Sequence, residues 1–454
     1  MSGQLSHEQA RRSLRNLGFL VLALATFLQF SCTGRSFNHR HQAGDNQPLW
    51  IYDPKGGVIG LTVVESENYV LASLPGFKAV VALDPATGKE RWRFTHEKMT
   101  SPGRPRVEGG LVFIANTDFQ THPDGIPGTF FVLDARTGKL LWQRESIGGV
   151  VAGYVFPLIK NGLLINLTSG AVTQREEVIE VFEVKTGVDL YTMSVDRAKW
   201  NATHPGKEFK SLEFCEDGRM VVMTTSATCF VADFRGRSIK ELSFSPAGPP
   251  ESAECVENTL YLTGKTGVAT FVQAIDVATG KTLWTRLGDR PVELVPSLAA
   301  GKGLLLEGGE AGKPSRLVAS DLQTGKDLWA TEIPRASLSG ISTGPAGAGL
   351  IVVRPDQEPR LLTIEVETGK IKYNLQTSDF PARSLLNAKP PYVAVISEKA
   401  QGSESEAKVT VFDLQTGTYL WNHIDDPFYY LDFTSEYLLV GNTSYILAFP
   451  LQKK

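Results

Sequence analysis

The sequence predicts an all-β fold, a β-propeller of four-stranded blades. Three observations predict it: a ten-residue pattern that recurs along the chain, spacings of 43 to 50 residues between its copies, and 43 glycines punctuating the chain at turns. The pattern reads LDPATGKERW (83–92), LDARTGKLLW (133–142), IDVATGKTLW (275–284), SDLQTGKDLW (320–329) and FDLQTGTYLW (412–421). FEVKTGVDLY (182–191) and IEVETGKIKY (364–373) keep the spacing with a Tyr in the last place. An eighth copy, ADFRGRSIKELSF (232–244), is degenerate: Gly236 comes one residue early and the aromatic is missing.

Each part of the pattern has a structural reason. A strand ends at the acid, whose side chain accepts backbone N–H groups of the turn that follows. The glycine supplies the left-handed conformation that reverses the chain into a hairpin. The next strand carries the aromatic, a large apolar surface with a single polar handle. Two residues before the acids stand Ala82, Val132, Val181, Val231, Ala274, Ala319, Thr363 and Val411, all small or β-branched, as an interior strand position requires. Eightfold repetition argues that these acids and threonines shape turns and do not catalyse.

Each unit reads as four strands, A to D; in the second these fall at about 104–108, 111–116, 129–134 and 139–145. After the last motif, 429–433, 437–441 and 445–449 look like strands A, B and C of one more unit, with 49–52 (LWIY) as its strand D. Sewing one blade from both chain ends leaves no unpaired edge. Eight blades are expected, or nine by this count of eight complete units plus one split unit, and a closed ring makes 49–454 a single domain.

The motif closely resembles the repeat of pyrroloquinoline-quinone-type (PQQ-like) β-propellers, often written AxDxxTGxxxW, over roughly 49–452. The resemblance implies that the aromatic of one blade docks on the next blade's motif. Trp92, Trp142, Trp284, Trp329 and Trp421, with Tyr191 and Tyr373 as weaker versions, are then interblade staples, and Trp50 holds the same place in the split unit.

The first 32 residues read as a targeting segment. Arg11, Arg12 and Arg15 precede the 14 uncharged residues 17–30, a signal-peptide core too short for a comfortable membrane span. Ser31-Cys32 follows it and resembles a bacterial lipoprotein cleavage site, with Cys32 as the lipid attachment. An ordinary cleaved signal and an uncleaved anchor are the alternatives; all three export the rest of the chain. Residues 33–48 read as a flexible tether, in which His39 and His41 are no more than solvated polar residues.

A net charge of −3, with 46 basic and 49 acidic side chains, gives nucleic-acid binding no electrostatic support. Four cysteines without a CxxC pair suggest no structural zinc. With Cys32 set aside, Cys215, Cys229 and Cys255 remain; a bridge between Cys215 and Cys255 and buried free thiols are equally compatible with their places on strands.

Two relatives are suggested by the repeat. Quinoprotein dehydrogenases hold calcium and a quinone over the channel, commonly against adjacent cysteines, and neither adjacent cysteines, a CxxCH nor a DxDxDG loop occurs here. The propeller lipoprotein of the outer-membrane β-barrel assembly machinery is non-catalytic and lipid-anchored. The expectation is therefore a monomeric, periplasmic scaffold of the cell envelope that binds protein partners, without catalytic residues, metal or cofactor. A quinone-dependent oxidoreductase and a ligand- or glycan-binding propeller are the alternatives. In an up-and-down blade the A–B and C–D turns share one face, and the B–C and D–A loops share the other. The long insertions 117–128, 197–207, 308–314 and 398–408 all fall on the second face. Trp200 stands there beside Arg197, Lys199 and His204, a combination suited to an interface anchor.

Overall fold

The chain separates into two units, 1–41 and 42–454. The computed structural model describes residues 46–451, apart from 118–127, 147–157, 161, 169–176, 196–208, 216–218, 225–228, 234–237, 243–246, 249, 257, 268, 300–301, 309–312, 338–340, 343–348, 356–357, 359, 378–385, 402–403 and 426.

The described residues form nine antiparallel sheets. Eight follow one another along the chain, and the ninth joins Trp50–Tyr52 to Tyr430–Phe433, Tyr437–Gly441 and Ile446–Pro450. The first unit shows the pattern: Gly60–Val64, Tyr69–Leu74, Ala79–Leu83 and Glu90–Thr95, each paired with the next. First strands are innermost and touch one another around the axis. Leu386–Lys389 meets Tyr430–Phe433, which meets Gly60–Val64, which meets Arg106–Glu108, so the split sheet bridges the eighth unit and the first. This is a β-propeller.

The core lies between consecutive sheets. Leu304, Leu306, Leu317 and Ala319 of the sixth unit pack against Ile351, Val353, Leu362 and Ile364 of the seventh, all nearly fully buried. Positions two apart on each strand make this layer, which is why middle strands are apolar while outer strands alternate. Each such Leu, Ile or Val contributes about 1.5–3 kcal/mol when fully buried.

One sequence expectation changes. Residues 398–408 are no loop: strands Tyr392–Gln401 and Glu404–Asp413 stay paired as far as Gln401 and Glu404, a hairpin that lengthens the eighth sheet. The degenerate fourth copy still makes a four-stranded sheet, Phe209–Phe214, Arg219–Thr224, Cys229–Asp233 and Ser238–Leu242. Its strands keep the apolar spacing, with Val221 and Val231 buried, so losing the turn residues does not dissolve the sheet.

The motif turns are built alike. Asp134 Oδ1 accepts the Thr137 N–H at 2.8 Å and its hydroxyl at 2.6 Å, and Gly138 closes the turn at φ +69°. The same pairs recur at Asp276 with Thr279 and Asp321 with Thr324. These bonds act on the charged carboxylate. The Thr137 hydroxyl and N–H hold Asp134 below the usual range, and the Thr279 hydroxyl does so for Asp276. A carboxyl whose folded pKa is depressed adds stability above its unfolded pKa, about 3.9, and loses it as pH falls through the folded value. Denaturation midpoints of the wild type should therefore fall below about pH 4 more steeply than those of Asp134→Asn, which keeps the acceptor without the charge. Parallel pH profiles would contradict this.

The glycine of each turn has a second duty. A Cβ on Gly88, Gly138, Gly187, Gly325, Gly369 or Gly417 would stand 2.5–2.7 Å from the ring of Trp50, Trp92, Trp142, Trp284, Trp329 or Tyr373 respectively. The indole N–H of Trp142 donates to the Val184 carbonyl at 2.9 Å, that of Trp284 to Leu322 at 2.9 Å, and that of Trp329 to Val366 at 2.8 Å. Trp50 reaches Pro85, Trp92 reaches Ala135 and the Tyr373 hydroxyl reaches Gln415 in the same way. Each aromatic thus lies flat on the glycine of the next sheet and donates to a carbonyl one or two residues past its acid.

Two seams differ. Trp421 is buried to 1% exposure against Phe449 at 5.1 Å, and its Nε1 has no acceptor among the described residues. The next sheet there is the split one, in which Ile446–Pro450 pairs with Trp50–Tyr52 from the other end of the chain. Between the fourth and fifth units, Lys240 lies opposite Val231, the register place that Trp92 takes opposite Ala82. At that seam Cys215 and Cys255 form a disulfide, joining the end of one inner strand to the next.

Candidate functional site

Cys32, Arg197, Lys199, Trp200 and His204 lie outside the described residues, as do most of the three remaining long insertions. Tyr191 is on strand Asp189–Val195, opposite Val181. The site that can be built from described side chains is instead an inner-strand cleft, which the sequence reading missed.

Its origin is one extra residue. In the second unit Pro102 pairs with Asn116 and Arg106 with Phe113, so three residues, Gly103, Arg104 and Pro105, oppose two. The inner strand is thereby split into Ser101–Pro102 and Arg106–Glu108 with a bulge between them. The bulge is pinned from the first unit. The Ser73 hydroxyl donates to the Gly103 carbonyl at 2.5 Å, and the Thr62 hydroxyl to the Pro105 carbonyl at 2.6 Å. Gly60 allows the approach, since a Cβ there would stand 2.7 Å from the Arg104 Cα. Gly103 and Pro105, at the start of the expected strand 104–108, were the available signal.

The cleft has a volume of about 390 Å³ and is lined by Thr62, Arg104, Pro105, Arg106, Val107, Glu108 and Ile159, from the inner strands of the first three units. Arg104 Nε donates to the Thr62 hydroxyl at 3.3 Å, and Arg104 Nη2 stands 3.8 Å from Asp432 Oδ2. Burial, and then repulsion from Arg104, lower the Arg106 pKa. Burial pushes the Asp432 carboxyl up, against the pull of the Phe433 N–H and Arg104. Burial likewise pushes the Tyr430 hydroxyl up to about 12, with Arg104 pulling it back. On the far side Lys389 pairs with Glu65 at 2.6 Å.

The donor set does not suit a calcium-bound quinone. Calcium takes six to eight oxygens, whereas this lining presents two guanidinium groups and one carboxylate. Among the described residues no group of three or more His, Cys, Asp or Glu side chains is placed to hold a metal.

Comparison with solved structures finds similar chains of low identity. BamB from Moraxella catarrhalis is 14% identical, with 91% of this chain and 100% of that one covered at a TM-score of 0.43. The quinohemoprotein alcohol dehydrogenase ADHIIG from Pseudomonas putida HK5 is 13% identical, with 84% and 76% covered at 0.45. The WD40 domain of SCAP from fission yeast is 11% identical, with 91% and 98% covered at 0.46. No curated protein matches in sequence. A family model described as outer membrane protein assembly factor BamB matches three times, over 76–237, 175–345 and 268–432. With its repeats, its turns and this match together spanning most of the propeller, the chain belongs to that BamB family of PQQ-like propellers.

Proposed function

We propose that the protein is a non-enzymatic scaffold of the cell envelope that holds a protein partner during outer-membrane protein assembly. The observation that carries this reading is the threefold family match over 76–432. The Cys215–Cys255 disulfide agrees with an exported, oxidising setting. Arg11, Arg12 and Arg15 before the apolar residues 17–30 supply the export signal, Cys32 the lipid attachment, and 33–48 the tether to the propeller from residue 49. Among the described residues no helix is long and apolar enough to cross a membrane. The partner docks on the face of the B–C and D–A loops, with Trp200 and Arg197 as anchors and Lys199 and His204 beside them.

The test is capture of barrel-assembly proteins from solubilised envelopes. Trp200→Ala and Arg197→Ala should weaken capture while the melting temperature stays put, since surface changes usually stay within about 0.5 kcal/mol. Lys139→Glu and Lys326→Glu, in motif turns on the opposite face, should capture normally. Defective turn variants with normal loop variants would put the partner on the wrong face, and no barrel-assembly protein in any capture would end the reading. Fatty-acid labelling should mark the wild type and spare Cys32→Ser.

A further inference from the structure

We infer that the projecting hairpin of the eighth unit docks an extended, basic segment of a protein partner, which adds to it as a third strand. The first argument is main-chain pairing. Strands Tyr392–Gln401 and Glu404–Asp413 pair along their whole length. Leu386–Lys389 pairs with the first of them only from Tyr392 to Val395, and Thr418–Asp425 with the second only from Ala407 to Asp413. Beyond those limits, among the described residues, no further strand joins the hairpin. The Leu414 N–H donates to the Pro391 carbonyl at 2.6 Å. Bonding alternates along the hairpin from there, so Ile396 and Ala400 turn their N–H and C=O groups to the inner edge. At about 3.4 Å per residue that edge, 396–401, is roughly 20 Å long. An edge of this kind is a template for another extended chain.

The second argument is an aromatic foothold. Tyr429 is 52% exposed. Burial, and then the Glu398 carboxylate, push its hydroxyl up, so the ring stands beside the foot of the hairpin. The Tyr429 N–H donates to the Gly441 carbonyl at 2.8 Å, and the neighbouring Phe428 is buried, so the backbone under the exposed ring is fixed. A tyrosine on a fixed backbone suits an interface anchor. The third argument is charge. The projecting part, 398–406, carries Glu398, Glu404 and Glu406 against Lys399. Two copies placed edge to edge bring like charges together, whereas a basic segment meets the opposite sign. The hairpin rises on the face of the B–C loops, and the inference rests on the scaffold reading for the kind of occupant.

Fluorescence anisotropy of a labelled peptide, acetylated and amidated Lys-Val-Thr-Val-Lys-Val-Thr, tests it against the full chain. Saturable binding is expected, with slower hydrogen exchange at Ile396 and Ala400. A fully N-methylated peptide keeps charge and side chains but has no main-chain donors, and should bind at least about tenfold more weakly. So should the peptide with Glu in place of Lys. Tyr429→Ala should weaken binding at least about fivefold. Replacing 398–407 by Asn-Gly, which closes the hairpin at Ser397 and Lys408, should abolish it. Unchanged melting temperatures show that both variants fold. Equal binding of the N-methylated or the acidic peptide, unaltered exchange at Ile396 and Ala400, or undiminished binding to the shortened chain would overturn the inference. So would a wild-type dimer, seen by sedimentation, that the shortened chain does not form. Capture of barrel-assembly proteins, measured in parallel, keeps the two readings apart. Capture without peptide binding ends this inference alone, and peptide binding without capture ends the scaffold reading alone.

Discussion

Replacing Trp421 by Ala is expected to cost about 5 kcal/mol, the upper end for a buried aromatic, because its indole is 1% exposed and packed on Phe449 across the seam. Trp329→Ala, at a half-buried position, should cost about 3 kcal/mol. Substitution by Phe separates the two roles. Trp329→Phe loses the bond to the Val366 carbonyl, about 1 kcal/mol beyond the lost area. Trp421→Phe removes a buried donor that has no acceptor among the described residues, and relief of about 1–3 kcal/mol offsets its smaller ring. Chemical denaturation should thus rank Trp329→Phe as the more damaging of the two Phe variants. The reverse order would show that the indole nitrogen of Trp421 has a partner after all.

Breaking the disulfide should have an effect of similar size. Cys215 and Cys255 are 40 residues apart, and chain entropy for a loop of that length corresponds to about 4 kcal/mol. The bond sits at the seam where Lys240 stands in the register place that the aromatic takes in the other units. Cys215→Ser, or reduction of the wild type, should lower the denaturation midpoint accordingly. Hydrogen exchange should rise first in strands Phe209–Phe214 and Pro250–Val256, which meet at this bond. Lys240→Trp should return part of the loss in the Cys215→Ser background, because the motif turn of the fifth unit, with Gly280 at φ +73°, is intact. A midpoint indifferent to reductant would remove the bond from any such role.

What was legible in the sequence was what repeats. Acid, Thr-Gly and aromatic lie within ten residues, and a turn is a local object whose hydrogen bonds run from Asp134 to Thr137. The alternation of apolar residues marked the strands, and LWIY at 49–52 with the three strands after residue 428 marked the split sheet. The Ala, Val and Thr places two before the acids came out opposite the aromatics, as Ala82 does to Trp92, except Val231, which faces Lys240.

Residues 398–408 show the limit of that reading. Polar composition suggested a loop, but pairing partners that continue past the core keep polar strands in register. The cleft shows it more plainly. Nothing local to Gly103–Arg104–Pro105 says that the strand opposite is one residue shorter, or that Ser73 and Thr62 of another unit will hold the bulge.

The sequence by itself determined the propeller class and the place of the regular motif turns, because these depend on interactions within a few residues. Only the tertiary structure decided which cysteines pair, which tryptophan lacks an acceptor and which inner strand bends Arg104 and Arg106 into one cleft. Those depend on which surfaces the closing of the chain brings face to face, and such long-range contacts leave no period in the sequence.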